Sequence, residues 1–407
     1  MNKKMPVDGK LDDDVSKKTL GRNTQLVQGS YDPFCFYGFV NPPIVRASTV
    51  LFPDAYTIGD NKQKYTYGTR GTPTTDALCH IINQLEGSAG TIILPSGLSA
   101  VTVALISYLV PGDHILIVDS VYSNVRFFCD TILKKLGIST TYYDPRIGKD
   151  IEKLFQNNTK LVHAESPGSN TFDMQDIPAI SSVTRRYGAV FMVDNTWGTP
   201  VFFKPLDHGA DVSIQASTKY PAGHADVLMG TISANQACWP QLLETNGAFG
   251  FCGSADEAYM VLRGLRTMGV RLERHFQSAL RIAEWLEQQD SVACVYYPAL
   301  SSSPDHGLWK RDFSGASGVF SFVLKCKKNT DYAEVANTFL NKLSIFQKGY
   351  SWGGFNSMAL LVNLDDRQII KAPNQGPLIR LQIGLEDSCD LINDIENSLK
   401  YNKEKYS

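Results

Sequence analysis

Short apolar runs alternate with helix-patterned segments from residue 61 to residue 262, and this alternation is the feature that most limits the fold. The runs have the length of strands, whereas segments such as 124–136 and 177–187 repeat apolar residues with helical spacing. Continuous apolar strands separated by helices are typical of a mostly parallel sheet covered on both faces. The sequence therefore predicts an α/β fold with five strands near 91–94, 114–118, 160–163, 189–193 and 212–214.

The pattern changes after residue 262. We predict a long amphipathic helix over 268–289, an alternating strand over 319–324 and a final helix over 387–401. These elements indicate a smaller C-terminal α+β domain, residues 263–407, beside a large sheet domain, residues 61–262. Residues 1–60 begin with a charged stretch that lacks the apolar core of a signal peptide, and an aromatic, proline-rich segment follows. We predict an extended arm that contacts a neighbouring subunit, or alternatively packs on its own domain.

Composition disfavours several classes of protein. The formal net charge is −2 with 20% charged residues, so we expect no nucleic-acid partner. Residues 91–110 carry no charge, but Pro95, Ser96, Gly97 and Ser99 interrupt them, which predicts strand, turn and buried helix rather than a membrane span. Eight cysteines without a CxxC pair favour neither a metal site nor a disulfide framework. A reducing, cytoplasmic location fits best.

Two side chains that follow predicted strands point to a cofactor. Lys219 comes after the run 212–214 and a cluster of hydroxyl residues, and Asp194 ends the run 189–193. Ligands of such sheets bind outside the carboxyl ends of the strands. A lysine amine can form a Schiff base with pyridoxal phosphate (PLP), and an aspartate can pair with its pyridine nitrogen. The alternatives are a solvated lysine and a helix N-cap.

Four further positions are candidates for binding. The turn 95–100, with Gly97, precedes a helix, and backbone N–H groups at a helix start bind phosphate. Arg70 suits phosphate or carboxylate, the ring of Tyr122 could stack on a flat cofactor, and Arg380 lies among apolar neighbours, where it needs an anionic partner. Each has a structural alternative. The turn 95–100 could be a plain strand-to-helix connection, and Arg70 could lie in a surface turn. Tyr122 could be a core aromatic, and Arg380 could form an internal salt bridge.

Taken together, these residues resemble the Cys/Met-metabolism family of PLP enzymes, which includes cystathionine synthases and lyases and methionine γ-lyase. The resemblance covers about residues 19–399, and so many motifs in one order are very specific. The motifs are YGTRGT at 67–72, ESPGS at 165–169, VDNTW at 193–197, SIQASTKY at 213–220, RGLRTMGVR at 263–271, GYSWGG at 349–354 and LIRLQIGLED at 378–387.

The resemblance implies the aspartate-aminotransferase-like fold type I and a homotetramer built from two catalytic dimers. It implies PLP bound covalently to Lys219, catalysis by Lys219 and Tyr122, and a Tyr67 that reaches the phosphate in the adjacent subunit. The implied cofactor-binding residues are Lys219, Asp194, Tyr122, Gly97, Leu98, Ser217, Thr218, Tyr67 and Arg70. The implied substrate-binding residues are Arg380, Ser351, Trp352 and Tyr122.

Three positions depart from the pattern of many family members. The phosphate arginine stands at position 70, and Thr69 occupies its usual place. Ser169 replaces an asparagine, as in the β-lyase branch. Ala216 stands where a serine is common, so Ser217 is only a candidate for the phosphate contact, which the resemblance otherwise assigns to Gly97, Leu98 and Thr218.

The segment Tyr350-Ser351-Trp352-Gly353 also resembles the β-lyase branch, whereas γ-lyases tend to carry an acidic residue near position 351. The expected reaction is α,β-elimination of L-cystathionine, an amino-acid thioether, to homocysteine, pyruvate and ammonia, a step toward methionine. The alternatives are cystathionine γ-lyase, methionine γ-lyase or cysteine desulfhydrase activity, and a non-catalytic PLP scaffold. No G-x-G-x-x-G follows the first strand, which disfavours a nicotinamide-dependent oxidoreductase.

Overall fold

The computed structural model of the protein describes residues 20–29, 31–60, 63–327, 330–373 and 375–406. The predicted charged start of the arm, residues 1–19, lies outside this part of the chain. Helices in the described part are α1 (Arg22–Gln28), α2 (Ala55–Asp60), α3 (Pro73–Glu86), α4 (Gly97–Tyr108), α5 (Ser123–Phe128), α6 (Ile177–Arg186), α7 (Thr199–Phe202), α8 (Trp239–Phe249), α9 (Ala255–Glu287), α10 (His306–Asp312), α11 (Tyr332–Lys342) and α12 (Ser388–Tyr406).

The strands form two sheets. Their bounds are β1 (Gly90–Leu94), β2 (His114–Val118), β3 (Ser139–Tyr143), β4 (Thr159–Glu165), β5 (Val190–Asp194), β6 (Val212–Gln215), β7 (Gly230–Ala234), β8 (Val292–Tyr296), β9 (Val319–Leu324), β10 (Gln347–Lys348), β11 (Met358–Val362) and β12 (Leu378–Gln382). Short 3-10 helices add Pro33–Phe36, Gly68–Arg70, Gly148–Leu154 and Pro205–His208, and a π turn, Cys129–Leu133, extends α5.

The first sheet has seven strands in the order β1-β7-β6-β5-β4-β2-β3. Strands β6, β5, β4, β2 and β3 pair in parallel, whereas β7 is antiparallel to both of its neighbours. The predicted mostly parallel α/β sheet is therefore confirmed, including all five predicted strands. The prediction missed β3 and β7 because their Ser, Thr, Tyr and Gly residues do not form an apolar run.

The second sheet has five strands in the order β10-β11-β12-β9-β8, and only β10 and β11 pair in parallel. Helix α9, with 33 residues, leads from the first sheet to the second. It begins 13 residues before the predicted start (268 − 255), at an N-cap Ser254 whose hydroxyl accepts from Glu257 N. The predicted domain boundary at 262/263 falls inside this helix, so the division into arm, PLP-binding domain and C-terminal domain stays a prediction.

The arm is not extended throughout. Helix α1 packs on α9: Leu26 is fully buried, and its Cδ1 would lie 3.4 Å from a Cβ at Gly269. Arg22 donates hydrogen bonds to Val201 O and Ser314 Oγ. The prediction of an extended arm is wrong for Arg22–Gln28, because this amphipathic turn buries its leucine against its own chain. Beyond α1 the arm exposes the rings of Phe34, Tyr37 and Phe39.

Within the described residues, no helix combines the length and the apolar character that a membrane span requires. The uncharged segment near residues 91–110 is instead strand β1, a turn and helix α4, as predicted. Ser96 caps α4 by accepting from Ser99 N at 3.1 Å, while Ser99 Oγ accepts from Ser96 N at 3.0 Å. This reciprocal cap fixes the start of α4 at the carboxyl end of β1.

Candidate active site

Lys219 lies where the two halves of the chain meet. Its amine donates to Ser351 Oγ and stands 5.2 Å from the centroid of the Trp352 ring. The loop with Gly353 passes so close that a Cβ there would lie 3.0 Å from the Lys219 backbone. Burial, together with the positive charge of Arg380, lowers the pKa of the Lys219 amine to about 8, although Asp194 acts in the opposite direction. A partly neutral amine at physiological pH suits a nucleophile or a base.

Asp194 ends β5 at the carboxyl edge of the sheet. Its Oδ1 accepts from Thr196 N at 2.9 Å and from Thr196 Oγ1 at 2.5 Å. Burial raises the pKa of this carboxyl above its usual value, while the Thr196 hydrogen bonds and the charge of Lys219 act to lower it. Only one oxygen is held by Thr196, so the other can accept a hydrogen bond from a bound ligand. The helix N-cap alternative is not realised, since the residues after Asp194 do not start a helix until Thr199.

The start of α4 faces the segment before Lys219. A Cβ on Gly97 would lie 2.5 Å from Ala216 Cβ, so only glycine allows this approach. The N–H groups of Gly97 and Leu98 belong to the first turn, which has no intrahelical acceptors. Both residues are partly exposed, and they therefore offer donors to an anion at this edge of the sheet.

Ser217 and Thr218 differ in their access to this edge. Ser217 is fully buried, and its hydroxyl lies 3.2 Å from Thr231 Oγ1 inside the sheet. Contact of this hydroxyl with the cofactor would require it to turn out of the sheet, and it stays a prediction. Thr218 is partly exposed, but its hydroxyl donates to Met229 O at 3.2 Å and accepts from Met229 N at 2.9 Å. It would have to give up the longer bond to donate to a phosphate.

Tyr122 stands at the carboxyl end of β2 as the N-cap residue of α5 and is 44% exposed, so it is not the core aromatic that was the alternative. Its hydroxyl accepts from Asn124 Nδ2 at 2.7 Å. Partial burial and the nearby Glu165 raise the pKa of the phenol, while Arg380 opposes this. Because the charge of Arg380 acts on this phenol, the ring lies on the same side of the site as the predicted carboxylate-binding residue.

Arg380 projects from β12 toward Lys219. Its guanidinium donates to Asn170 Oδ1 at 3.0 Å and to Ser351 O at 3.4 Å. Burial lowers the pKa of Arg380 to about 10, and the described residues supply it with no ion pair. The internal salt bridge that was the alternative is therefore absent there. A largely buried cation held only by neutral oxygens has the capacity to bind a carboxylate.

Tyr67 and Arg70 do not join this site within one chain. Both are exposed, Tyr67 in an isolated bridge to Thr49 and Arg70 against Gly247 of α8. In the described part of the chain, no hydrogen bond or ion pair connects either side chain to Lys219, Asp194 or the start of α4. Contact with a cofactor held by a neighbouring subunit stays a prediction.

Three residues at the site were given no role by the sequence. Glu165 ends β4 beside Asp194, Asn170 contacts Arg380, and Arg367 donates to Ser169 O and, at 2.9 Å, to Thr171 Oγ1. Glu165 had the same signal as Asp194, an acid directly after an apolar strand. Arg367 and Asn170 lie in irregular segments, where no periodic pattern predicts contact.

These residues fit pyridoxal phosphate. A lysine amine of lowered pKa, a carboxylate with a spare oxygen and a glycine-bounded helix start lie at one edge of the sheet. They match the aldehyde, the pyridine nitrogen and the phosphate of that cofactor, in that order. Among the residues that the structure describes, no group of three or more His, Cys, Asp or Glu side chains is arranged to hold a metal ion.

Comparisons with known proteins agree with this donor set. The family model described as "Cys/Met metabolism PLP-dependent enzyme" matches residues 23–400. A putative cystathionine beta-lyase from Rhizobium johnstonii is 61% identical over 95% of this chain and 97% of its own length. The cystathionine beta-lyase MetC of Escherichia coli K12 is 44% identical over 92% of this chain and 97% of its own.

Among solved structures, a cystathionine gamma synthase from Xanthomonas oryzae pv. oryzae, crystallised with aminoacrylate and cysteine, superposes with a TM-score of 0.87. It is 31% identical, and the match covers 95% of this chain and 99% of the synthase chain. The predicted resemblance and the predicted fold class are thereby confirmed.

Proposed function

The chain belongs to the Cys/Met-metabolism family of PLP-dependent enzymes, and from this premise we propose that it catalyses the α,β-elimination of L-cystathionine. The reaction consumes one water and yields homocysteine, pyruvate and ammonia. The observation that carries the proposal is the hydrogen bond from Lys219 to Ser351. This bond places Ser351 and Trp352, the residues that resemble the β-lyase branch, in contact with the Lys219 amine that would perform the chemistry. The names of the two lyase relatives support the same choice.

Arg380 would bind the substrate α-carboxylate. The carboxylate replaces the neutral oxygens of Asn170 and Ser351 on the guanidinium, which gains a charge-assisted bidentate partner. This contact fixes the Cα–H bond next to the Lys219 amine. Trp352 covers the other side of that amine and limits the access of water.

Lys219 would act as the base and Asp194 as the electrostatic anchor. When bound, pyridoxal phosphate supplies the conjugated ring that accepts the electron pair left at Cα. Asp194 would hold the pyridine nitrogen in its protonated form, since Thr196 leaves one of its carboxylate oxygens able to accept. Lys219 takes the Cα proton, and Lys219 or Tyr122 returns a proton to the leaving sulfur. The released 2-aminoacrylate hydrolyses to pyruvate and ammonia.

A γ-elimination would need a second proton removal, at Cβ. Ser351, on which the amine rests, carries no acid-base group suited to that step, and its neighbours Tyr350 and Trp352 are not acidic. We therefore place the γ-lyase activities and cysteine desulfhydration second.

The test is incubation of the PLP-loaded protein with L-cystathionine, followed by identification of the keto acid by mass spectrometry. Pyruvate with homocysteine supports the proposal, and Lys219→Ala should abolish the production of both. Production of 2-oxobutyrate with cysteine would keep the PLP assignment and reject the β-elimination. Near-normal turnover by Lys219→Ala would reject the assigned base.

We further propose a role in methionine biosynthesis and a homotetramer of two catalytic dimers. The first follows from homocysteine as the product. The second is supported by the exposed rings of Phe34, Tyr37 and Phe39 on the arm and by the outward position of Tyr67 and Arg70. Exposed aromatic clusters of this kind are common in subunit interfaces. We also propose a cytoplasmic location, supported by seven free thiols from Cys79 to Cys389.

A further inference from the structure

Two carboxylates stand side by side beneath the site. Glu165 and Asp194 are the last residues of the parallel strands β4 and β5, and they pair directly in register. Residues paired in this way project to the same face of a sheet, with backbones about 4.8 Å apart. The mechanism above uses Asp194 alone, which leaves Glu165 as a partly buried titratable group without a role.

Glu165 also touches the main chain that carries Tyr122. Its Oε2 accepts from Tyr122 N at 2.7 Å, across 43 residues of sequence. That N–H belongs to the N-cap residue of α5, so the bond fixes the point at which the chain leaves β2 and turns into the helix. The position of the Tyr122 ring at the edge of the site therefore depends on Glu165.

Ionisation of one of two adjacent, largely desolvated carboxylates disfavours ionisation of the other, because like charges repel. Asp194 has two hydrogen bonds from Thr196 and the attraction of Lys219, whereas Glu165 accepts one hydrogen bond. Burial and Asp194 raise the pKa of Glu165 well above its usual value. Within the described part of the chain, the charge that opposes this shift is that of Arg367, whose N–H groups are engaged by Ser169 O and Thr171 Oγ1.

We propose that Glu165 is a positioning residue: as a protonated acid it holds the Tyr122 main chain against the site and leaves the negative charge at Asp194. The inference rests on the proposed PLP chemistry and deepens it, since it assigns the proton within the acid pair. Ring stacking by Tyr122 and charge pairing by Asp194 then depend on one neutral side chain that touches neither the cofactor nor the substrate.

The protonation state is tested on the cofactor-free protein, so the result does not depend on which reaction the enzyme performs. The infrared difference spectrum between wild type and Glu165→Gln at neutral pH should show the loss of a protonated carboxyl band. Loss of carboxylate bands instead would overturn the proposal. This measurement also separates its failure from a failure of the β-elimination proposal, which the keto-acid assay detects.

The positioning role is tested by PLP affinity. Glutamine keeps an acceptor for Tyr122 N–H and alanine does not, so Glu165→Ala should raise the Kd for PLP about tenfold, the effect of one lost hydrogen bond to an ordered group. Glu165→Gln should recover most of that loss. Equal weakening by both variants would overturn the proposal. Unfolding midpoints within a few degrees of each other would show that both variants are folded. If the alanine variant does not fold, the infrared measurement alone decides the proposal.

Discussion

At the scale of the residue, the pKa of Lys219 makes a prediction about cofactor loading. Only the neutral amine attacks the aldehyde of PLP, so the loading rate of cofactor-free protein should rise with pH through about 8 rather than near 10.5. Absorbance after rapid mixing with PLP measures this rate. Arg380→Ala removes a cation that lowers the pKa and should move the midpoint upward. Asp194→Asn removes an anion that raises the pKa and should move it downward. A midpoint near that of a solvated lysine, unchanged in both variants, would contradict the burial argument.

Single residues show where sequence reasoning succeeds. Lys219 and Asp194 could be predicted because each follows an apolar strand, and the sheet topology brings the ends of such strands together. The predicted cofactor contact of Ser217 stays a prediction, because a one-residue shift along a turn moves a hydroxyl from the edge of the sheet into the sheet, where that of Ser217 lies. The sequence shows that a hydroxyl is present there but gives no information about the side on which it lies.

At the scale of the element, the start of α4 is a place where one methyl group should matter. A Cβ at position 97 would lie 2.5 Å from Ala216 Cβ, so Gly97→Ala must push the helix start away from the site. We expect the Kd for PLP to rise about tenfold, since overpacking costs about 1–3 kcal/mol. Equilibrium absorbance titration measures this Kd.

The matched control is Gly307→Ala in the first turn of another helix, α10, where a Cβ would meet nothing within 4 Å and PLP affinity should stay at the wild-type level. The double variant Gly97→Ala with Ala216→Gly removes the clashing methyl and should restore much of the affinity. A Gly97→Ala protein that binds PLP normally would show that the helix start has room to shift.

A second element-scale prediction concerns the segment after β11. Asp119, directly after β2, is fully buried and accepts from Gln368 N at 3.0 Å, Ile369 N at 2.8 Å and Ile370 N at 2.7 Å. It also accepts from the buried Arg126 at 2.7 Å. Asp119→Asn leaves that arginine with the longer ion pair from its Nε to Asp366 Oδ2, at 3.7 Å, so the free energy of unfolding at neutral pH should fall by about 3 kcal/mol, the lower end of the loss for a broken buried ion pair. Urea unfolding measures the difference.

The pH dependence of this difference has a definite sign. The hydrogen bonds from Ile370, Gln368, Ile369 and Arg126 outweigh burial and hold the pKa of Asp119 below its usual value. The stabilisation is therefore complete above the unfolded value, about 3.9, and is lost as the pH falls through the folded pKa. Wild type should lose more stability than Asp119→Asn between about pH 5 and pH 3. Parallel losses in the two proteins would contradict the assignment.

Elements were easier to predict than their ends. Five strands could be predicted from the sequence because burial on both faces of the sheet requires apolar residues throughout: β1, β2, β4, β5 and β6. Helix α9 was predicted to begin too late, since its first turns carry Asp256, Glu257 and Arg263 and only their packing against α3 shows that they are helical. Strands β3 and β7 are defined by their neighbours rather than by their own composition.

At the scale of the whole molecule, the proposed shared site makes a prediction about mixed assemblies. If Tyr67 completes the site of the adjacent subunit, Tyr67→Phe and Lys219→Ala should each impair every site in their own homodimers. A mixed dimer would contain one site with both substitutions and one with neither. Random mixing of equal amounts should therefore restore about a quarter of wild-type activity, as two-fold symmetry dictates.

The measurement is the activity of the whole co-expressed population of two differently tagged chains. The mixed dimer isolated from it should have about half of wild-type activity, because one of its two sites is intact. Co-expressed Lys219→Ala with Arg274→Ala serves as a control for the purification, because Arg274 pairs with Asp387 on the same chain. No recovery in the Tyr67→Phe mixture, with intact assembly, would show that each chain builds its site alone.

The position of the site between the two sheets has a consequence for biosynthesis. A chain leaves the ribosome from its N-terminus, so β5, the start of α4 and Lys219 emerge well before Ser351 and Arg380. The nascent chain thus completes the groups that match the cofactor while the groups that match the substrate are still being translated. A chain cut short by premature termination before Ser351 would lack Ser351, Trp352 and Arg380, and with them part of the burial and the positive charge that lower the pKa of Lys219.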